Sequence, residues 1–317
     1  MDVPVAPEHH AHKRFDWRFA TILVLLVAIL VLTALPLFGE RAATPAPSEF
    51  DLLHPEIARL DVDDFIEIQK TQTASLTPLR EKLTPLIADE PGTYGIYVED
   101  LFTGAWLGIN EREPFIPASL MKVPLMVAVL KDVEQGELSL DQTVDIDLSN
   151  STGVIERRTV NELLRITAKE SNNIAANALG TLVSPEDLNA AFVSFGIPVL
   201  ETVTGKIDVS PKEYGNLLRS LYFSTYLRRR FSQLLLSMLV DTEYNEQLVP
   251  GVPVEVKIAH KVGFWKDDHQ NHDCGIVYLP EKHYLVCVMS QSTEFSDASR
   301  VTTEISRTVF KHMSTSE

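Results

Sequence analysis

A predicted helix opens with the segment Ile116-Pro117-Ala118-Ser119-Leu120-Met121-Lys122. Ser119 and Lys122 are three residues apart, so their side chains share one face of that helix. A serine hydroxyl is a weak nucleophile until a base takes its proton, and a lysine kept neutral by burial can be that base. A helix N-terminus also supplies the Ser119 N–H and a positive dipole where an oxyanion would form. The pair indicates acyl transfer, although a capping serine followed by an exposed lysine gives the same spacing.

Two later segments favour acyl transfer over the capping alternative. Ser171-Asn172-Asn173 precedes an apolar helix predicted at 174–183, and Lys261-Val262-Gly263 closes a strand with alternating apolar residues. A second hydroxyl can move a proton, an amide can orient a substrate, and a second lysine supplies positive potential. Gly263 would let a substrate lie close to the strand backbone.

Together, the three motifs resemble those of the class A β-lactamase and penicillin-binding serine hydrolase family. They occur in the family's order, and the resemblance covers about residues 77–313. It implies a β-lactamase/transpeptidase-like fold. It also implies that Ser119 is acylated, that Lys122 serves as a base, and that Ser171 relays a proton to the leaving nitrogen.

The same resemblance assigns residues to substrate binding. Asn173 would hold the side-chain amide of the substrate, and Lys261 would face its carboxylate. Gly263 lies on the strand expected to line the substrate. The oxyanion hole would consist of the backbone N–H groups of Ser119 and Phe264.

The sequence departs from the family at three places. The middle residue of the family's Ser-Asp-Asn motif is Asn172 here. In place of Lys-Thr-Gly, Val262 cannot donate a hydroxyl hydrogen to the substrate carboxylate, a loss of about 1.5–3 kcal/mol. The region matching the long Ω loop, residues 200–210, is short, and only the acids Glu201 and Asp208 are candidates for the deacylation base. Ordinary surface carboxylates explain both acids equally simply.

Three functions therefore remain open. The first is a hydrolase that is acylated at Ser119 by β-lactams or related amides and hydrolyses them. The second is a cell-wall D,D-peptidase or penicillin-binding protein with slow deacylation, acting on a peptidoglycan peptide. The third is a non-catalytic binding protein on the same fold, since fold alone does not determine function.

The order of elements predicts an α+β domain with an antiparallel five-stranded sheet flanked by helices. Two strands come early, three come late, and an all-helical subdomain is inserted between them. The predicted helices cover 77–87, most of 119–240 and 296–313, and the predicted strands cover 94–99, 105–109, 254–260, 274–279 and 284–290.

The N-terminal part of the chain predicts a membrane anchor. Residues 19–38 are almost wholly apolar, and 20 helical residues span ~30 Å, the thickness of a bilayer core. Lys13, Arg14 and Arg18 precede this segment, which places the N-terminus in the cytoplasm. We expect a cytoplasmic tail (1–18), an uncleaved single-pass anchor (19–38), a linker and membrane-proximal segment (39–76) and an extracytoplasmic catalytic domain (77–317).

The charge and the metal-ligand pattern limit other functions. The formal net charge of −16 argues against nucleic acid as a partner, because phosphate binding needs clustered Lys and Arg. Potential metal ligands crowd one loop, but they lack a recognisable ligand spacing, and a polar loop at the edge of the site is the default interpretation. These are Asp267, Asp268, His269, His272 and Asp273. We predict neither a metal nor a cofactor.

The two cysteines, Cys274 and Cys287, form neither a CxxC pair nor a zinc set. They flank two short apolar runs joined by residues 279–283, a pattern typical of a β-hairpin. Such a hairpin could place the sulfurs opposite each other, so a disulfide and a pair of buried thiols both remain open.

Overall fold

A computed structural model defines residues 76–147, 155–198, 207–280 and 282–315 of the chain. The first elements in chain order are α1 (Thr77–Ala88), β1 (Thr93–Asp100), β2 (Trp106–Ile109), α2 (Lys122–Gln135), β3 (Thr143–Ile146), β4 (Glu156–Thr159), α3 (Val160–Lys169) and α4 (Asn173–Gly180). They are followed by α5 (Pro185–Ser194), α6 (Pro211–Phe223), α7 (Arg229–Val240), β5 (Lys257–Trp265), β6 (Gln270–Leu279), β7 (Lys282–Gln291) and α8 (Phe295–Thr315). Single 3-10 turns occupy Ala118–Met121 and Val249–Gly251.

Five of these strands form one antiparallel sheet in the order β2-β1-β7-β6-β5. The two early strands thus pair with the three late strands through β1 and β7, which confirms the predicted α+β architecture. The central strand β7 is apolar on both sides, as expected for a strand covered on both faces by helices.

One face of the sheet packs against the two terminal helices. In α8, Val301, Ile305 and Val309 recur every four residues and form a buried stripe against Leu79 and Leu83 of α1. Each fully buried aliphatic side chain contributes about 1.5–3 kcal/mol, so this layer is a major source of stability. It holds the catalytic face of the sheet from behind.

The opposite face of the sheet packs against α6. A Cβ atom on Gly215 of α6 would lie 2.6 Å from the Tyr97 ring on β1, so only a glycine allows this close approach. Ile96 and Val98 alternate with Tyr97 and point to the other face, into the core with α1 and α8.

The insertion between β2 and β5 contains α2 to α7, but the prediction that it is all-helical is wrong. Strands β3 and β4 pair within it, with Asp145 opposite Arg157. The two side chains form an exposed ion pair with an Nε–Oδ1 distance of 2.8 Å. Because β4 has the sequence Glu-Arg-Arg-Thr, it lacks the apolar alternation from which strands are predicted.

Two of the late strands are displaced from their predicted positions. The strand predicted at 254–260 occupies Lys257–Trp265, so Lys261-Val262-Gly263 lies inside β5 rather than at its end. Strand β6 begins at Gln270 rather than at Cys274. In both places the sheet continues through residues that suggest a loop, because each residue is paired with the neighbouring strand.

The β6–β7 hairpin resolves the alternatives for the cysteines. Cys274 and Cys287 are directly opposite in the register of the two strands. They form a disulfide with an S–S distance of 2.04 Å.

The predicted cytoplasmic tail, anchor and linker lie outside the described residues, apart from Leu76 at the end of the linker. Among the helices of the described segments, none has both the length and the apolar character needed to cross a bilayer.

Candidate active site

Ser119 lies in the 3-10 turn that leads into α2, rather than in the first turn of the α-helix. Side chains three residues apart are eclipsed in a 3-10 turn, so Ser119 and Lys122 still lie on one face. Their Oγ and Nζ atoms are 2.9 Å apart. Ala118, immediately before the serine, has a left-handed φ of 49°, a conformation that costs a non-glycine residue about 1–2 kcal/mol.

The amine of Lys122 is surrounded by neutral oxygen atoms. Besides Ser119, it donates to the Ser171 carbonyl at 2.5 Å, the Ser171 hydroxyl at 3.1 Å and the Asn173 Oδ1 atom at 2.6 Å. Among the described residues, no carboxylate forms an ion pair with it. Burial lowers the pKa of Lys122 to about 8, so the amine loses its proton near physiological pH.

Ser171 lies between α3 and α4 and, like Ala118, has a left-handed backbone, with a φ of 52°. Its hydroxyl oxygen accepts hydrogen bonds from Lys122 at 3.1 Å and from Lys261 at 2.7 Å. A hydroxyl oxygen has two acceptor positions and one hydrogen to donate. With both acceptor positions occupied by amines, the Ser171 hydrogen can point toward a bound substrate.

Lys261 is wholly buried on β5. Burial lowers its pKa to about 7, and the nearby Lys122 amine lowers it further, while Asp273 opposes the shift. Its Nζ atom also donates to the Val262 carbonyl at 3.3 Å and lies 5.7 Å from the centre of the Tyr244 ring. The site therefore contains two amines that exchange protons within the same pH range.

The two asparagines of the second motif have separate contacts. Asn172 caps α4, because its Oδ1 atom accepts hydrogen bonds from the N–H groups of Ile174 and Ala175 at 2.9 and 3.0 Å. Asn173 begins the helix, and its Oδ1 atom binds Lys122. This contact leaves the Asn173 NH₂ group to face the cavity.

Gly263 lies where β5 contacts the turn that contains Ser119. A Cβ atom at this position would be 2.6 Å from the Pro117 carbonyl oxygen and 3.0 Å from Leu120 Cγ. The glycine therefore brings strand and turn together, a reason different from the substrate approach expected from the sequence. The next residue, Phe264, has a side chain that is half exposed, beside Phe295.

A cavity of about 520 Å³ contains the site. It is lined by Ser119, Ser171, Asn173, Tyr244, Glu246, Gln247, Val262, Phe264 and Phe295. The structure thus brings Ser119, Ser171, Asn173 and Phe264 to one cavity, with the Lys122 and Lys261 amines in contact with Ser171. The sequence gave no indication of Tyr244 or Glu246, because they lie in a polar loop after α7 without a motif.

The five potential metal ligands between β5 and β6 do not gather into a metal-binding set within the described residues. Asp267, Asp268 and His269 are exposed in a turn, as predicted. The prediction of a loop is wrong for His272 and Asp273, which are buried in β6.

His272 and Asp273 instead hold neighbouring segments. The Nε2 atom of His272 lies 2.8 Å from the Ile116 carbonyl oxygen, and its Nδ1 atom accepts from the Ser290 N–H at 3.2 Å. Burial lowers the pKa of His272 to about 4, so the ring is neutral, with Nε2 as the donor. His272 therefore connects β7 to the segment that precedes Ser119. Asp273 binds His260 and the Leu248 N–H.

The two acids considered for deacylation are not brought to the Lys122 amine by the described structure. Glu201 lies outside the described residues, and Asp208 is exposed next to the bridge between Phe115 and Val209.

Comparison with known proteins agrees with this geometry. A family model described as the β-lactamase enzyme family matches residues 78–313. The extended-spectrum β-lactamase PER-1 of Pseudomonas aeruginosa is 26% identical over 251 residues, covering 68% of this chain and 80% of PER-1.

Solved structures give the same result. PBP-A, also solved as an acyl-enzyme complex with penicillin G, superposes with a TM-score of 0.67 at 24% identity, over 74% of this chain and 96% of PBP-A. An ancestral class A β-lactamase gives a TM-score of 0.66 at 25% identity, over 73% of this chain and 98% of its own. Since the family model spans most of the sequence, the chain belongs to the β-lactamase enzyme family.

Proposed function

We propose that this chain is a serine hydrolase that is acylated at Ser119 by β-lactams or related amides and then hydrolyses the acyl ester. The observation that supports it most directly is the 2.9 Å contact between Lys122 Nζ and Ser119 Oγ, made by an amine whose pKa is lowered to about 8. Family membership and the similarity to PER-1 support the same reaction class.

Acylation would begin with proton transfer from Ser119 to the neutral amine of Lys122. The Oγ atom attacks the carbonyl carbon of the amide, and the resulting oxyanion accepts hydrogen bonds from the N–H groups of Ser119 and Phe264. The proton then passes from Lys122 through the Ser171 hydroxyl to the leaving nitrogen. The C–N bond breaks and leaves an ester on Ser119.

Substrate binding would use the groups that the lysines leave available. The NH₂ group of Asn173 donates to the substrate's side-chain amide, while Lys261 supplies positive potential for its carboxylate. Val262 offers no hydroxyl for that carboxylate. We therefore expect weaker binding of carboxylate substrates than a threonine would give, by roughly ten- to a hundredfold.

A second candidate is a penicillin-binding protein or D,D-peptidase with slow release of the acyl group from a β-lactam. One observation favours it: Lys122 has only neutral partners in the described structure, so no described carboxylate is held there to activate a water. The similarity to PBP-A agrees with this alternative.

The mass of the full-length chain after mixing with excess penicillin G separates the two candidates. A hydrolase forms a transient adduct and produces many equivalents of penicilloate, whereas a penicillin-binding protein retains one equivalent and releases terminal D-alanine from a peptide ending in D-Ala-D-Ala. Ser119→Ala is the control and should form neither adduct nor product. A wild-type chain with no adduct and no product rules out both functions.

For the cellular location, we propose that residues 19–38 anchor the chain with its catalytic domain outside the cytoplasm. Their apolar length and the preceding Lys13, Arg14 and Arg18 support this arrangement. The full-length chain should remain in the membrane fraction after alkaline carbonate washing, and a variant lacking 19–38 should not. Complete release of the full-length chain would contradict the anchor.

A further inference from the structure

Three carboxylates meet at the end of α2 that is farther from the active site. Asp132 lies in the last turn of α2, Glu137 follows that helix, and Asp187 lies in the first turn of α5. Each offers one oxygen, and the three oxygens lie within 4.8 Å of one another. At 1.5 Å per residue, Asp132 is about 15 Å along α2 from Lys122, so the cluster is separate from the acyl-transfer site.

Asp132 is the group that needs a partner. It is only 3% exposed, and its Oδ1 atom is buried without a hydrogen-bond partner. An unpaired buried carboxylate is costly, and proteins offset that cost with a counter-charge or a metal. The carbonyl groups at the C-terminus of α2 add further negative potential.

The described side chains do not provide the missing positive charge. Within these segments of the chain, none of the three carboxylates forms an ion pair with Lys, Arg or His. The neighbouring Glu134, by contrast, contacts both Lys131 and Arg228. The one side-chain hydrogen bond to the cluster comes from the Ser184 hydroxyl, which donates to Asp187 Oδ2 at 2.5 Å.

We propose that Asp132, Glu137 and Asp187 bind a calcium ion that joins α2 to α5. Calcium takes oxygen ligands at about 2.3–2.6 Å, so oxygens up to about 4.8 Å apart can contact the same ion, whereas magnesium at about 2.0–2.1 Å needs them closer. The exposed Glu137 leaves one side open for the ion to enter and for water ligands. The ion would stabilise the helical insertion on which the Ser119 turn and Ser171 are built.

The test is the melting temperature of the full-length chain, stripped of metal, with and without calcium chloride. At calcium concentrations about 100 times the Kd, Tm should rise by about 5–10 °C for a domain of this size. Asp132→Asn should abolish the rise. Glu186→Gln removes an exposed carboxylate beside Asp187 and should keep it, which makes it the matched control.

Three results would overturn the proposal: no calcium-dependent rise in the wild type, a rise that persists in Asp132→Asn, or an equal rise with potassium chloride at the same ionic strength. If Asp132→Asn raises the Tm of the metal-free chain while calcium has no effect on the wild type, the buried carboxyl is held by a proton instead of an ion. Because the readout is thermal stability, failure here is distinct from failure of the acyl-transfer function.

Discussion

The Nζ atom of Lys261 lies 2.7 Å from the Oγ atom of Ser171. Lys122 binds the same hydroxyl from another side, so one oxygen connects two buried amines. This arrangement lets a proton taken from Ser119 reach the leaving group without crossing solvent. It also makes the protonation of both lysines the main determinant of activity.

The rate of acylation should therefore depend on pH through Lys122. Its amine acts as a base only when neutral, and its pKa is lowered to about 8, so the rate should rise about tenfold per pH unit below pH 8 and level off above it. A fluorophosphonate probe is suitable because it has no carboxylate for Lys261 to bind. The rate of label incorporation, followed by intact mass, measures the profile.

The control for this profile is Lys122→Arg, which keeps the positive charge but stays protonated over the whole range. It should be labelled far more slowly at every pH. A wild-type rate that is flat between about pH 6 and 9 would mean that another group activates Ser119.

Asn172→Ala should destabilise α4. The substitution removes the cap that accepts two backbone N–H groups, a loss of about 0.5–2 kcal/mol. Thermal unfolding monitored by circular dichroism measures the effect. Asn172→Asp should retain the wild-type Tm, because aspartate caps as well and suits the positive end of the helix dipole. Equal losses in both variants would show that the cap is not the reason for this residue.

Gly263→Ala should slow acylation by at least about tenfold, because the new methyl group would push the Pro117 carbonyl and the Ser119 turn away from β5. The matched control is Gly180→Ala, at the end of α4, where a Cβ atom meets nothing within 4 Å. That variant should keep its activity and gain up to about 1 kcal/mol of stability. Wild-type labelling rates in Gly263→Ala would contradict the close packing described for this position.

His272→Phe tests the connection between β7 and the segment before Ser119. The variant leaves the Ile116 carbonyl and the Ser290 N–H without their partner, at about 1–3 kcal/mol for each buried group. Both Tm and the acylation rate should fall. His272→Gln can donate and accept, so it should recover part of the rate. The exposed His269→Phe should change neither, and a similar loss there would point to a general effect of phenylalanine.

Much of the site could be predicted from the sequence because its chemistry depends on short motifs. Ser119, Lys122 and Ser171 were identified by residue type and spacing, and the structure brings their polar atoms within hydrogen-bonding distance of one another. The sheet was predictable for a different reason, since β1 and β7 consist largely of apolar and β-branched residues.

What the sequence did not predict depends on tertiary contacts. Strand β6 begins with Gln270, Asn271, His272 and Asp273, which suggest a loop although all four are buried. Their polar groups are satisfied from distant segments, such as the Thr293 carbonyl that accepts from the Asn271 amide. Hydropathy patterns cannot show partners that lie far away in the chain.

The covalent bond between Cys274 and Cys287 gives this enzyme a redox history. Cys274 follows directly after His272 and Asp273, so the bond fixes the register of the strand that positions the segment before the nucleophile. Forming it requires an oxidant, which the cytosol of most cells does not provide. Chains synthesised and kept under reducing conditions would therefore differ chemically from the mature enzyme, and preparations should be compared by their thiol content before their rates are compared.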